Sequence, residues 1–143
     1  LSAEQLLGSV NDESTTVVAD LEAGIGTLTR LAGSSVDATV VVVEPTLRSI
    51  DVARRAVAVA DEQRQGRVVV VANKVADDQD RARIEEAFGD RSLVVVPEDP
   101  AVDTADRLGV SPVDHAPDAP AVSALEGLVD MLGLGSEPVG RGH

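Results

Sequence analysis

The clearest structural pattern in the sequence lies in VDATVVVVEPTLRSIDVARRAVAVADEQRQGRVVVVAN, residues 36–73. Its two ends, VDATVVVVE at 36–44 and RVVVVAN at 67–73, are continuous valine-rich runs, as is typical of strands buried on both faces. Between them, apolar residues recur at helical spacing and form one stripe. These residues are Ile50, Ala53, Val57 and Ala60. Gly66 is placed to end this helix, so the stretch predicts a βαβ unit with parallel strands.

The same alternation continues on both sides of this unit. A shorter apolar run, TTVVAD, occupies residues 15–20, and SLVVVPED occupies residues 92–99. Helical patterns are found at 77–89, 101–109 and about 122–132. Strands that alternate with helices predict an α/β fold, in which helices cover both faces of a parallel sheet.

The composition limits the size of the fold and its partners. A chain of 143 residues with 43% apolar residues can build one core, and we expect one domain over residues 1–134 with a flexible tail at 135–143. The net charge of −13 repels phosphate backbones and anionic lipids, and Phe88 is the only aromatic residue. Cysteine is absent, and no apolar run approaches the ~20 residues of a membrane span. We therefore expect a cytoplasmic protein that binds neither nucleic acid nor membrane by itself.

Several polar residues and glycines stand where the apolar runs end. In an open parallel sheet, ligands bind beyond the carboxyl ends of the strands. Asp20 offers a carboxylate that can hold a water of a magnesium ion, and Gly24 offers a bare backbone amide to a phosphate. Asn73 can both donate to and accept from a base edge, and Lys74 is the only lysine. Each residue alone is also explained by ordinary caps and turns, so only the set of them indicates a site.

The segments DLEAGIGTLTR, VDATVVVVEPTLRSIDVARR, VVVVANKV and VVVPEDPAVDTADRLGVSP, within residues 15–112, carry a family resemblance. In order and spacing they resemble the later strands of the signature-lysine P-loop ATPases, which include the Min and Par ATPases. Within that class the chain most resembles the accessory ATPases that insert nickel into carbon monoxide dehydrogenase. The resemblance implies a P-loop NTPase-like fold that binds ATP and Mg²⁺ and acts as a switch, and it implies a homodimer for the complete protein.

The resemblance also implies a role for individual residues. Asp20 matches the Walker B aspartate, which holds Mg²⁺ through water, and Gly24 matches the switch glycine that senses the γ-phosphate. Asn73 matches the asparagine that reads adenine. Further candidates for contact with the nucleotide are Lys74, Pro97, Glu98 and Asp99. Adenine is favoured over guanine, because Ala76 stands where GTPases place the acid that binds guanine and Asp77 comes one residue too late.

Two features depart from the family pattern. A phosphate loop needs a glycine-rich turn followed by Lys and Ser or Thr, but the only lysine, Lys74, directly follows Asn73 without such a turn. We expect the loop to lie in an amino-terminal segment outside this chain, so that the chain alone shows no ATPase activity and a partner segment or homodimer completes the site. The nickel-inserting relatives also resemble one another in a cysteine pair that this chain lacks.

Three other interpretations remain open. Gly24 and Gly26 follow an apolar run, and Glu44 lies 20 residues after Gly24, as in a Rossmann-like dinucleotide-binding module. Against it, Thr29 occupies the third glycine position and Asp20 would repel a pyrophosphate. The chain could instead be a non-catalytic regulator or scaffold that kept the fold, and a receiver-like or purely structural α/β domain is also compatible with the sequence.

Overall fold

The computed structural model describes residues 15–21, 36–63 and 66–134. Its sheet contains three parallel strands in the spatial order β1–β2–β3. The strands are β1 (Ala38–Val43), β2 (Arg67–Val75) and β3 (Ser92–Pro97). The helices are α1 (Leu47–Glu62), α2 (Asp78–Phe88), α3 (Pro100–Leu108), α4 (Pro112–His115) and α5 (Pro120–Met131). None of the helices in these ranges is long and apolar enough to cross a bilayer.

Local signals in the sequence start these helices. Thr46 caps α1 by accepting from the amide of Ser49, and Asp77 caps α2 by accepting from the amide of Asp80. A proline at the first helical position starts α3, α4 and α5, where its fixed φ fits and no amide hydrogen is needed. Each of the first three helices therefore begins just beyond the carboxyl end of a strand.

One face of the sheet is covered by α1 and α2. The register pairs Val41 of β1 with Val70 of β2, and Val70 with Leu93 of β3, so these side chains point to the same face. The buried members of this core are Val41, Val43, Ile50, Ala53, Val57, Val70, Ala72, Val75, Ile84 and Phe88. The aliphatic stripe of α1 thus meets a sheet of small valines, with the single phenylalanine filling the space beside α2.

The opposite face is covered by α5. Ala121 of α5 packs against Val71 of β2 and Val96 of β3. The helix ends near the amino end of β2, where the guanidinium of Arg67 donates to the carbonyl oxygen of Met131. It therefore crosses from the carboxyl end of β3 toward the amino end of β2, antiparallel to the strands, and none of the described helices covers this face of β1. Val40 and Val42 of β1 are consequently 38% and 59% exposed.

The predicted fold class is confirmed: the sheet is parallel and helices lie on both of its faces. The prediction of a strand at 15–20 is wrong, because residues 15–21 belong to neither a strand nor a helix and Val18 is 83% exposed. A valine-rich run has a high strand propensity, but a strand forms only where a neighbouring edge accepts its hydrogen bonds. The predicted tail at 135–143 and the candidate Gly24 lie outside the described residues.

Candidate functional site

The carboxyl ends of the three strands bring five polar residues to one edge of the sheet. We call them the strand-end cluster, and its members are Glu44, Asn73, Lys74, Glu98 and Asp99. Glu44 follows β1, and its Oε1 lies 3.1 Å from Nζ of Lys74 near the end of β2. The amide of Glu98, after β3, donates to the carbonyl oxygen of Val75 at 2.9 Å. The ends of all three strands are therefore tied together.

A bulge near the end of β2 shapes this cluster. Ala72 pairs with Val95 and Val75 with Pro97, so two residues of β2 stand opposite one residue of β3. The extra residue lets both Ala72 and Val75 face the same core, although they are three positions apart. Asn73 becomes half-buried, while Lys74 turns out toward solvent at the strand end.

The bulge places Lys74 in an unfavourable backbone conformation. Its φ is 58°, and among the described residues it is the one non-glycine residue with a positive φ. A left-handed backbone costs an L-amino acid more than a median exposed ion pair contributes. The Lys74 and Glu44 side chains are 65% and 45% exposed, so their ion pair does not offset that cost. Backbone outliers of this kind cluster at functional sites, which makes Lys74 a candidate for function.

The charges around Lys74 are mostly negative. The pKa of Lys74 is raised, first by its hydrogen bond to Glu44 and then by the charge of that carboxylate. Asp103, in the first turn of α3, and Glu98 raise the pKa further by their charges. One ammonium therefore stands among three carboxylates at this edge of the sheet.

Asp99 is fully engaged in backbone contacts. Its Oδ1 accepts from the amide of Ala101 at 3.0 Å and caps α3, while its Oδ2 accepts from the amide of Ala121 at 3.0 Å and caps α5. The residue in the N-cap position of α5 is Ala119, which has no side-chain oxygen to do this itself. Asp99 thus fixes the loop after β3 to the start of two helices.

The turn after β1 is also held by hydrogen bonds. The amide of Glu44 donates to Oγ of Ser49 at 2.9 Å, and the amide of Thr46 donates to the carbonyl oxygen of Glu44 at 2.8 Å. The backbone of Glu44 is therefore fixed from both sides, and its side chain remains accessible.

The structure gathers most of the residues that the sequence indicated. Asn73, Lys74 and the loop Pro97–Asp99 lie together at the carboxyl edge of the sheet. Asp20 is exposed and belongs to neither a strand nor a helix. Asp103 was missed, although its place in the helix predicted at 101–109 puts it one turn beyond the end of a strand.

The groove between α1 and α2 is separate from the strand-end cluster. A groove of about 230 Å³ lies between α1 and α2, and no member of the strand-end cluster lines it. Its lining residues are Leu47, Ile50, Asp51, Arg54, Arg83, Glu86 and Ala87. Within the described ranges, no three His, Cys, Asp or Glu side chains converge as a metal site.

Known proteins resemble this chain in sequence and in fold. No family model matches it. The chain is 32% identical, over 125 residues, to an uncharacterized ATP-binding protein of Methanocaldococcus jannaschii, and the match covers 85% of this chain and 47% of the relative. The MinD cell division protein of Aquifex aeolicus has a similar structure, with a TM-score of 0.57 and 21% identity. The MinC:MinD complex of the same organism gives a TM-score of 0.56, also at 21% identity.

Each match covers only part of the known protein. Both structural matches cover 73% of this chain, and they cover 46% and 47% of the solved chains. The chain thus spans about half the length of the proteins that it matches. Over that part its fold is similar to that of MinD, as the sequence resemblance to Min ATPases led us to expect.

Proposed function

We propose that this chain is the nucleotide-binding part of a Min/Par-like switch ATPase and that the strand-end cluster receives ATP. The observation that carries the proposal is the convergence of Asn73, Lys74 and the loop Pro97–Asp99 beyond the carboxyl ends of neighbouring parallel strands. Nucleotides bind at this edge in open α/β sheets. The ATP-binding relative from Methanocaldococcus jannaschii supports the same nucleotide.

Each candidate residue has a distinct role in this proposal. The half-buried amide of Asn73 contacts the adenine edge, because it supplies one donor and one acceptor. Pro97 and Glu98 flank the base, and Asp99 positions their loop because both of its oxygens already cap helices. Gly24 meets the γ-phosphate.

Magnesium would be held by Asp20 through water. Mg²⁺ keeps several waters and needs only one or two carboxylates besides the phosphates, so a single exposed carboxylate such as Asp20 fits this role. When bound, the ion neutralises charge on the β- and γ-phosphates. Asp20 would orient one of its waters.

A phosphate loop must come from another segment in this proposal. Lys74 is paired with Glu44 and follows no glycine-rich turn, so it does not serve as the phosphate-loop lysine. Val40 and Val42 on the uncovered face of β1 offer apolar surface beside the outer edge of that strand, where a further strand and helix could pack. A partner segment or the second copy of a homodimer would supply them. We propose that the chain alone hydrolyses no ATP, and that it works in the cytoplasm.

Three other functions can be weighed against this proposal. A nickel-inserting role is disfavoured because the chain contains no cysteine. A non-catalytic regulator or scaffold that kept the fold is the second candidate. A Rossmann-like module is the third, with Glu44 as the ribose-binding acid.

Calorimetric titration tests the proposal. We expect the chain to bind Mg-ATP saturably, with weaker binding of GTP and NADH. Asn73→Ala should weaken ATP binding at least about tenfold, because a base-edge hydrogen-bond pair is lost. Gln79→Ala removes an exposed amide from α2 and should leave binding unchanged. Saturable NADH binding without ATP binding would favour the Rossmann-like module, and equal effects of both variants would refute the role of Asn73.

A further inference from the structure

We propose that Glu44 and Lys74 form a sugar-binding pair that lets the strand-end cluster distinguish ribonucleotides from deoxyribonucleotides. The proposal rests on the proposed function, since it assigns the part of the nucleotide that meets this pair. Among the described residues, Lys74 and Glu44 are the ion pair that joins the carboxyl ends of two strands, with 3.1 Å between Nζ and Oε1.

The accessibility of the pair suits a ligand contact. The two side chains remain 65% and 45% exposed, so each keeps polar atoms free to meet a ligand in addition to its partner. Asn73, the proposed adenine contact, directly precedes Lys74 in the chain. The base and the group attached to it would therefore meet consecutive residues of β2.

Local charge decides which part of a nucleotide fits here. The ammonium of Lys74 is outnumbered by the carboxylates of Glu44, Glu98 and Asp103, and this surplus of negative charge repels a phosphate group. A neutral group that donates to a carboxylate and accepts from an ammonium is favoured. The vicinal hydroxyls of ribose combine both properties, and adenine is attached to this sugar.

Both partners are held in place before any ligand arrives. The amide of Glu44 is anchored by Oγ of Ser49. The bulge fixes Lys74 in its left-handed conformation, with φ of 58°. A preorganised pair pays little further entropy on binding. This role also accounts for a lysine at a position where glycine or asparagine would be less strained.

Calorimetric titration of the 143-residue chain with ATP, 2′-deoxy-ATP and 3′-deoxy-ATP tests the pair. We expect 2′-deoxy-ATP to bind about tenfold or more weakly than ATP, because a hydrogen bond to a charged group is lost, and 3′-deoxy-ATP shows whether the second hydroxyl also contributes. Glu44→Gln should bring the ratio of the ATP affinity to the 2′-deoxy-ATP affinity close to one. Lys74→Gly should weaken ATP binding while preserving the backbone conformation. Lys74→Arg, which keeps a positive charge, should retain ATP binding. Asp51→Asn disrupts the exposed Asp51–Arg55 pair on α1 and should leave the ratio unchanged.

A second readout follows from the uniqueness of Lys74. Because it is the only lysine, reductive methylation with ¹³C gives one lysine resonance, which ATP should shift more than 2′,3′-dideoxy-ATP does. Failure of the wild-type chain to bind ATP would overturn the proposed function and this pair with it. Saturable ATP binding with equal affinity for 2′-deoxy-ATP, or a ratio of affinities unchanged by Glu44→Gln, would overturn the sugar-binding pair alone.

Discussion

Replacing Asp99 by alanine should destabilise the chain more than removal of an ordinary helix cap. The carboxylate of Asp99 caps both α3 and α5, with both oxygens 3.0 Å from backbone amides. Helix α5 has no other side-chain cap among the described residues. The substitution therefore frees one amide at the start of each of two helices.

The expected size of the effect follows from these two contacts. Loss of one N-cap costs about 1 kcal/mol, so the loss of two costs about 2 kcal/mol. Ala121 is only 2% exposed, and an unpaired buried amide costs about 1–3 kcal/mol. Together with the lost cap of α3, the expected loss is about 2–4 kcal/mol. Asp99→Asn keeps one acceptor oxygen and should lose about half as much.

Urea denaturation followed by far-UV circular dichroism measures this difference. Asp77→Ala is the matched control, because Asp77 caps the single helix α2 through a 2.8 Å hydrogen bond. We expect it to cost about 1 kcal/mol, with equal m-values in all variants. A loss for Asp99→Ala no greater than that for Asp77→Ala would refute the double cap.

Three further predictions concern other parts of the chain. Glu44 raises the pKa of Lys74, so their pair stabilises the fold fully below the ordinary lysine pKa of 10.5, and this contribution is lost as pH rises through the raised pKa. The urea midpoints of wild type and Glu44→Gln should therefore converge at alkaline pH. A difference between the midpoints that stays constant with pH would contradict this. Gly66→Ala should lower the melting temperature more than Gly109→Ala. Both glycines have a positive φ, but only at Gly66 would the new Cβ lie 2.3 Å from a backbone carbonyl oxygen. Equal decreases in melting temperature would argue against that close approach. Phe88→Ala should cost about 3–5 kcal/mol in urea denaturation, because Phe88 is 2% exposed in the core; a loss below about 1 kcal/mol would contradict the observed packing.

The parts of the fold that depend on local sequence were predictable. The stripe Ile50, Ala53, Val57 and Ala60, read from helical spacing alone, is the buried face of α1. The valine runs 36–44 and 92–99 contain β1 and β3, and the run 67–73 covers all but the last two residues of β2. Spacing and residue type predict such elements because a buried strand face requires apolar residues, and these runs supply them on both faces.

The parts that depend on distant residues were not predictable. Whether the run 15–20 becomes a strand depends on an available neighbouring edge, which its own residues do not encode. The bulge at Lys74 and the contact from Asp99 to Ala121, which spans 22 residues, also arise from tertiary packing. The one local sign of that contact is Ala119, which stands before Pro120 where a capping side chain would be expected.

The strand-end cluster was predictable in outline because parallel strands place their carboxyl ends at one edge. Asn73, Lys74 and the loop Pro97–Asp99 were identified at the ends of separate apolar runs, and the sheet brings those ends together. The contacts that each of these side chains makes were not predictable. The ion pair to Glu44 and the two caps made by Asp99 require side-chain positions that only the folded chain defines.

Amide chemical-shift mapping with the ¹⁵N-labelled chain can locate bound nucleotide on the sheet. On addition of Mg-ATP, we predict saturable shifts that are largest for the amides of Asn73, Lys74 and Glu98, at the carboxyl edge of the sheet. Shifts centred instead on the groove between α1 and α2, or no saturable shifts at all, would contradict the claim that this edge receives the nucleotide.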